Sequence, residues 1–360
     1  MTIFRMRLTR WLLLGLIGLG VASPAGAQGR RKVIIDQDAY DGTGLQPILM
    51  LLQDPTVDVL GITIVSGDGW EPEEAAQTLR MLELIGRTDV PVIDGAIYPL
   101  VNTKERTRRR EAAFGAIDYK GAWGDAQAHD ARIIPPMAHG MPKKKTRPGS
   151  AADFLLETTR RYPGEVTILA LGPLTNLALA ERLDDDFAAR VREIVVEGGN
   201  LVPADINKEQ DQFTPQVLYA PRVPFNFLWD PEAAHIVFTS KWGSLMLVTS
   251  DASTPVVGTK ELLARAAASG KPVARFVGEM ALPGYPLWDE VAVAAWMDPA
   301  IVTRTGTLAI DVDLLPDANY GALLVWAPGK GPGLDEQNAS VVFTVDAARM
   351  ETMFVDLLGR

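Results

Sequence analysis

The feature that most constrains this chain is a rhythm. Apolar runs of strand length alternate with longer segments of helical pattern. "KVIID" leads to a helix expected to begin near Leu45, where Pro47 is acceptable because a first turn has no hydrogen bond to lose. "VDVLGITIV" (57–65) precedes "EPEEAAQTLRMLELIG", whose early acids and closing Gly86 suit helix ends. "PVIDG" follows, then "EVTILALG" before "PLTNLALAERL", then "EIVVEGG" (193–199). "GSLMLVTSD" comes after a helix opened by Asp230 as N-cap with Pro231 at the first helical position. The C-terminal third has the pattern of short strands closed by a final helix. Strands alternating with helices predict an α/β fold with a mostly parallel central sheet flanked by helices, a Rossmann-like open sheet. In such sheets ligands bind beyond the carboxyl ends of the strands. Nearly every predicted strand ends there in a polar group: Asp36 and Asp38, Asp68, the Leu171 carbonyl, Asn200 and Asp251.

Residues 1–27 have the pattern of an export signal: Arg5, Arg7 and Arg10, the apolar run "WLLLGLIGLGVA", then "SPAGA". The run is shorter than the roughly 20 residues that span a bilayer. An exported protein, periplasmic or secreted, is therefore expected, with its mature chain starting near Gln28 and no membrane span after cleavage. Residues 28–360 are expected to form one domain. Within it, 102–148 is rich in Gly and Pro and poor in apolar periodicity, so a loop or lid is expected there. Its basic clusters suit solvated surface. Removing the leader's three arginines and no acids takes the formal charge from -10 to -13, which disfavours nucleic acid as a partner and suits a small neutral or cationic ligand. A homo-oligomer is compatible with everything so far. With no cysteine, the chain has neither disulfides nor thiolate metal ligands.

Asp36, Asp38 and Asp41 lie within six residues at the end of the first predicted strand. Three acids so close repel one another unless a cation is present, and a hard divalent ion bound by carboxylates, carbonyls and water would relieve that. An ordinary Asx-rich turn is the plainer alternative. A DxD after an apolar strand also opens the haloacid dehalogenase phosphotransferases, but those expect Thr or Val where Tyr40 stands.

Beyond this knot the sequence resembles the inosine/uridine-preferring nucleoside hydrolase family. The blocks "DQDAYDGTG", "DPTVDVLGITIVSGDG", "TLRMLELIGRTDVPVIDGAIYPL", "LALGPLTNLALA", "VREIVVEGGN", "PFNFLWDPEAAHIV" and "WDEVAVAAW" occur in the family's order. The resemblance covers nearly all of 32–358. It implies one calcium ion (Ca2+) at the pocket floor and hydrolysis of the N-glycosidic bond of a ribonucleoside. Asp38 matches the metal ligand and general base, Asp36 the acid beside it, Leu171 a carbonyl ligand and Asp289 the late metal ligand. Asn226 matches a sugar-binding Asn, Asp68 stands in place of another, and Asn200 lies near a sugar-binding amide. Such cleavage passes through an oxocarbenium-like sugar attacked by water. Calcium lowers the pKa of that water and a carboxylate takes its proton.

The departures fall in the site. Thr43 and Gly44 stand where the family has two adjacent aspartates, and the loop is one residue longer, so Asp41 is either a replacement ligand or a plain turn acid. Trp288 replaces a His that helps protonate the leaving base; an aromatic can stack there but gives no proton. Pro224 replaces a sugar-binding Glu, and Glu197 occupies a position that is usually apolar. His129 and His139 lie in the variable loop and His235 in a helix, so none is an obvious substitute. Trp70, Trp123, Trp229 and Trp288 are expected near the pocket edge or its lid, where core packing is the competing role. A calcium-dependent nucleoside hydrolase is thus expected. A catalytically impaired nucleoside- or sugar-binding protein, and a hydrolase of another glycoside, remain as alternatives.

Overall fold

Val33, Ile34 and Ile35 are fully buried in β1 (Arg31–Gln37), as a strand covered on both faces requires. The remaining strands are β2 (Val57–Ile64), β3 (Val92–Ile93), β4 (Val166–Ala170), β5 (Glu193–Glu197), β6 (Leu245–Val248), β7 (Val302–Val312), β8 (Leu323–Trp326) and β9 (Gln337–Val345). Among the described residues they form a nine-stranded sheet in the order β3-β2-β1-β4-β5-β6-β9-β7-β8. Pairing is parallel from β3 through to β9, and antiparallel between β9 and β7 and between β7 and β8. The computed structural model describes residues 29–117, 119–124, 129–201 and 224–360. The expected leader 1–27 lies outside them.

Two apolar layers sandwich the sheet. One packs Ile48, Leu49 and Leu52 of the helix Gln46–Gln53 with Val291 and Ala295 of the helix Trp288–Met297 and Phe354 of the helix Ala347–Leu358. The other gathers Leu155, Leu177, Phe187, Phe227 and Phe238. The order of strands reverses at β1, which has β2 on one side and β4 on the other. Loops leaving the carboxyl ends of β1 and β4 therefore diverge, which is where open α/β sheets bind ligands in a crevice. Asp36, paired in register with Thr63 of β2 and Ala170 of β4, stands at that point.

Among its described residues the stretch 102–148, expected as a loop or lid, holds one α-helix. Lys104–Phe114 is a helix, capped by Thr103, whose side chain accepts from Arg106 N. It lacks an apolar stripe, since Thr107 alone is buried, and periodicity therefore could not reveal it. Glu105 pairs instead with Arg108 and Arg109, three and four residues on. Arg110 ties this helix to the β7–β8 connection through the Asp317 and Ala318 carbonyls. Among the described residues no helix is long and apolar enough to cross a membrane.

Candidate functional site

Asp36 is completely buried near the end of β1. The Thr63 hydroxyl and the Asn176 amide, at 2.8 Å, both donate to its Oδ1, while Oδ2 meets no donor among the described residues. Burial outweighs the two hydrogen bonds and pushes its pKa up to about 7. Asp38 sits between two glycines. A Cβ on Gly67 would come within 2.0 Å of its Oδ2, and one on Gly172 within 2.7 Å of its Oδ1. The ends of β2 and β4 therefore approach this carboxylate as only bare backbone can. The Asp68 amide donates to Asp38 Oδ2 at 3.1 Å. Burial, then the charges of Asp68 and Asp289, push Asp38 well above the usual carboxylate range.

Asp68 follows β2, and its Oδ1 accepts from the Tyr119 hydroxyl at 2.7 Å. Burial raises it to about 6. Asp289, in the first turn of the helix Trp288–Met297, is raised to about 7 by burial; its Oδ2 accepts from Gln37 Nε2 at 2.7 Å. The Leu171 carbonyl, just beyond β4, accepts from Asn226 Nδ2 at 3.1 Å. Asn226 lies in the short helix Phe225–Trp229 and also reaches Glu197 at the end of β5. Asn200 is half-buried beyond Gly198 and Gly199 at that same edge. Asp41 has a left-handed φ of 58°, and its Oδ1 accepts from Thr43 N at 2.7 Å, an Asx turn. Its charge still raises Asp68.

Sequence patterning did not single out several further acids. Glu71 and Glu74 lie on the buried face of the helix Glu71–Leu84. Glu74 accepts from Gly69 N at 2.6 Å, and its Oε2 has no partner among the described residues. Burial lifts Glu71 to about 8 and Glu74 well above its ordinary value, the latter helped by Asp38. The available signal was their three-residue spacing followed by Thr78, which continues the same helical face. Tyr119 and Gln37 also went unmarked, since their partners lie 51 and 252 residues away in sequence.

Of the tryptophans Trp70, Trp123, Trp229 and Trp288, the first three form one cluster. Trp123 stacks on Trp229 at 4.1 Å and Trp70 meets Trp229 edge-on at 6.3 Å; all three are buried. Trp288 stands apart, its Nε1 donating to Thr254 Oγ1 at 3.3 Å.

Among the described residues no Lys, Arg or His forms an ion pair with Asp36, Asp38, Asp68, Glu74, Glu197 or Asp289. Buried carboxylates and a backbone carbonyl without a protein cation are the donor chemistry of a hard divalent ion, and the orphaned Asp36 Oδ2 agrees with that. The side chains themselves are not gathered, since no three acidic or histidine groups among the described residues converge as a ligand set. Amide N–H groups of Gln37 and Asn226 occupy Asp289 and the Leu171 carbonyl instead.

Buried acids at the switch point of a mostly parallel sheet mark the class of open-sheet α/β proteins, in which ligands bind beyond the strand ends. The family model described as inosine-uridine preferring nucleoside hydrolase matches residues 33–352, and the chain belongs to this family. Uridine nucleosidase 1 of Arabidopsis thaliana is 38% identical over 210 residues, covering 58% of this chain and 53% of that protein. The match thus spans about half the length of that relative. The pyrimidine-specific ribonucleoside hydrolase RihB of Escherichia coli (strain SE11) is 24% identical over 304 residues, 81% of this chain and 86% of its own. Among solved structures, the plant nucleoside hydrolase PpNRh1 superposes with a TM-score of 0.70 at 25% identity, covering 91% of this chain and 98% of its own. A purine-preferring ribonucleoside hydrolase from Gardnerella vaginalis gives 0.70 at 20% identity, with the same coverage.

Proposed function

We propose that this protein hydrolyses the N-glycosidic bond of ribonucleosides or related ribosyl compounds, with Asp38 as general base and calcium as cofactor. The observation that carries this is the seat of Asp38. It is a buried carboxylate walled by Gly67 and Gly172, beside Asp68 and Asp289, with no cationic side chain paired to it among the described residues. Family membership and the names of its relatives support the bond type.

Asp36, Asp38, Asp289 and the Leu171 carbonyl would hold the ion, with Asp41 as a further ligand if its Asx turn opens. A bound calcium would acidify a water and favour the ionised form of these acids. Asp38 then takes the proton from the attacking water as the water oxygen bonds the anomeric carbon and the bond to the base breaks, and the departing base takes its proton from solvent. Asp68, Asn200 and Asn226 orient the sugar hydroxyls, and the acids around them favour the positive charge that develops on the sugar. Trp288, which has no acidic proton, supplies an aromatic face for the base. Ribose release from uridine and inosine, assayed with calcium and with chelator, tests the reaction. Calcium-dependent release abolished by Asp38→Asn supports it; a free sugar other than ribose from another glycoside would displace the nucleoside.

The amide donors standing on Asp289 and the Leu171 carbonyl favour a second reading, a protein that binds nucleosides without cutting them. Calorimetric binding of a nucleoside that stays intact over hours would select it. Export rests on the 1–27 leader pattern. Fractionation of expressing cells, with N-terminal sequencing of the mature chain, tests that and expects a start near Gln28.

A further inference from the structure

We infer that Glu197 determines which ligands the pocket accepts, by offering its own carboxylate to a sugar hydroxyl and by turning Asn226 so that its amide oxygen offers a second acceptor. The inference rests on the pocket being a sugar site. Asn226 Nδ2 lies 3.1 Å from the Leu171 carbonyl oxygen, 3.4 Å from the Glu197 carbonyl oxygen and 3.1 Å from Glu197 Oε2. The Leu171 and Glu197 carbonyl oxygens can only accept, so an amide oxygen in that place would face acceptors, and the nitrogen must occupy it. With both amide hydrogens engaged there, Asn226 has only its oxygen left to present, and no donor from the described residues reaches it. Any ligand group meeting Asn226 must therefore be a donor.

Glu197 itself is 5% exposed, although it closes a strand whose preceding residues Ile194, Val195 and Val196 are fully buried and apolar. The one other hydrogen bond to its carboxylate among the described residues is from the Ser250 hydroxyl to Oε1, at 3.4 Å. Among the described residues no cation pairs with Glu197, and a buried carboxylate left so destabilises a fold relative to an apolar residue of similar size, a cost that a hydroxyl donor from a ligand would offset. Asp68 and Asp289 bear on it electrostatically. Together these groups make a floor of acceptors, suited to a ligand that brings several hydroxyl donors.

The test compares wild type, Glu197→Leu and Glu197→Gln, in calcium, on uridine and on its 2′-, 3′- and 5′-deoxy analogues. The readout is KM where uridine is cleaved and calorimetric Kd where it is only bound. Failure of the proposed reaction therefore leaves this comparison intact. Glu197→Leu is expected to weaken uridine about tenfold or more while changing kcat less, as loss of a buried hydrogen-bond partner does. Glu197→Gln keeps an acceptor for Asn226 and is expected to recover most of that loss. One deoxy analogue, lacking the hydroxyl that Glu197 receives, should lose nothing further in Glu197→Leu. An equal penalty on uridine and all three analogues would overturn the inference by reducing Glu197 to a structural role. So would an unchanged KM or Kd for uridine in a folded Glu197→Leu, or absence of any uridine binding by the wild type. Thermal melting checks the fold, and Glu197→Ala takes the place of Glu197→Leu if that variant does not melt cooperatively.

Discussion

The two ends of β1 treat charge in opposite ways. At its start, Lys32 pairs with Glu165 at 2.7 Å and Arg31 reaches Asp54 at 3.9 Å, both on partly exposed surface. At its finish, Asp36 and Asp38 are buried with no cation paired to them among the described residues. The contrast extends across the molecule. Asp184, held by Arg160 and Arg190, is depressed to about 2, and Glu105 is likewise drawn to about 2 by Arg108 and Arg109. Asp36 and Asp289 are raised to about 7 by burial. One residue type is thus stabilised by its surroundings in one region and left uncompensated in the other. Uncompensated burial costs stability, so acids that carry it are candidates for work on a ligand.

If the contrast is functional, neutralising an acid at the crevice should cost activity rather than stability. Asp38→Asn is expected to lower ribose release by about 10²–10⁴-fold, the range of general-base catalysis, while its melting temperature holds or rises because repulsion with Asp68 and Asp289 is relieved. A variant that loses stability together with activity would break the comparison. Gly67→Ala should act next most strongly, because its Cβ would lie 2.0 Å from Asp38 Oδ2. About tenfold or more is expected to be lost in kcat/KM, since a small displacement of a reacting group is costly.

Calcium sharpens the contrast without any mutation. An ion that binds only the folded chain stabilises it by about 2.7 kcal/mol at a hundred times its Kd. Differential scanning fluorimetry should therefore show a rise in Tm with calcium, reversed by chelator and absent in Asp38→Ala. The smallest effects belong to the compensated groups. Asp184→Asn should leave kinetics unchanged and lower Tm only slightly. Because the folded pKa of Asp184 lies below its ordinary 3.8, its contribution is present above that value and fades as pH falls through about 2.

His235 gives the opposite sign. Its Nδ1 lies 2.8 Å from Asp311 Oδ1 of β7, and that hydrogen bond raises its pKa above 6.5. The stabilisation is full below 6.5 and is lost as pH rises through the folded pKa. The Tm gap between wild type and His235→Gln should therefore be widest near pH 5.5 and close on the alkaline side.

Periodicity carried far in this chain where apolar side chains are the organising force. Val33 to Ile35, "VDVLGITIV" and "EVTILALG" became adjacent parallel strands, and Asp230 caps its helix by accepting from Ala233 N at 3.1 Å. It failed at Lys104–Phe114, where ion pairs and a Thr cap stand in for an apolar stripe. Of the residues named from the sequence, Asp36 lies near the end of β1, and Asp38, Asp68 and Leu171 lie just beyond β1, β2 and β4. Their hydrogen-bond partners were not legible, because they come from other elements: Gln37 for Asp289, Tyr119 for Asp68, and Asn226 for both Leu171 and Glu197.

By itself the sequence determined the alternation of strands and helices and the presence of acids at strand ends, since both depend on residues close along the chain. Tertiary structure decided which acids meet no cation among the described residues, that two glycines from different loops close on Asp38, and that Glu197 meets Asn226. Each depends on the packing of segments far apart in sequence. Burial and electrostatics depend on distance in space, which local patterning does not encode.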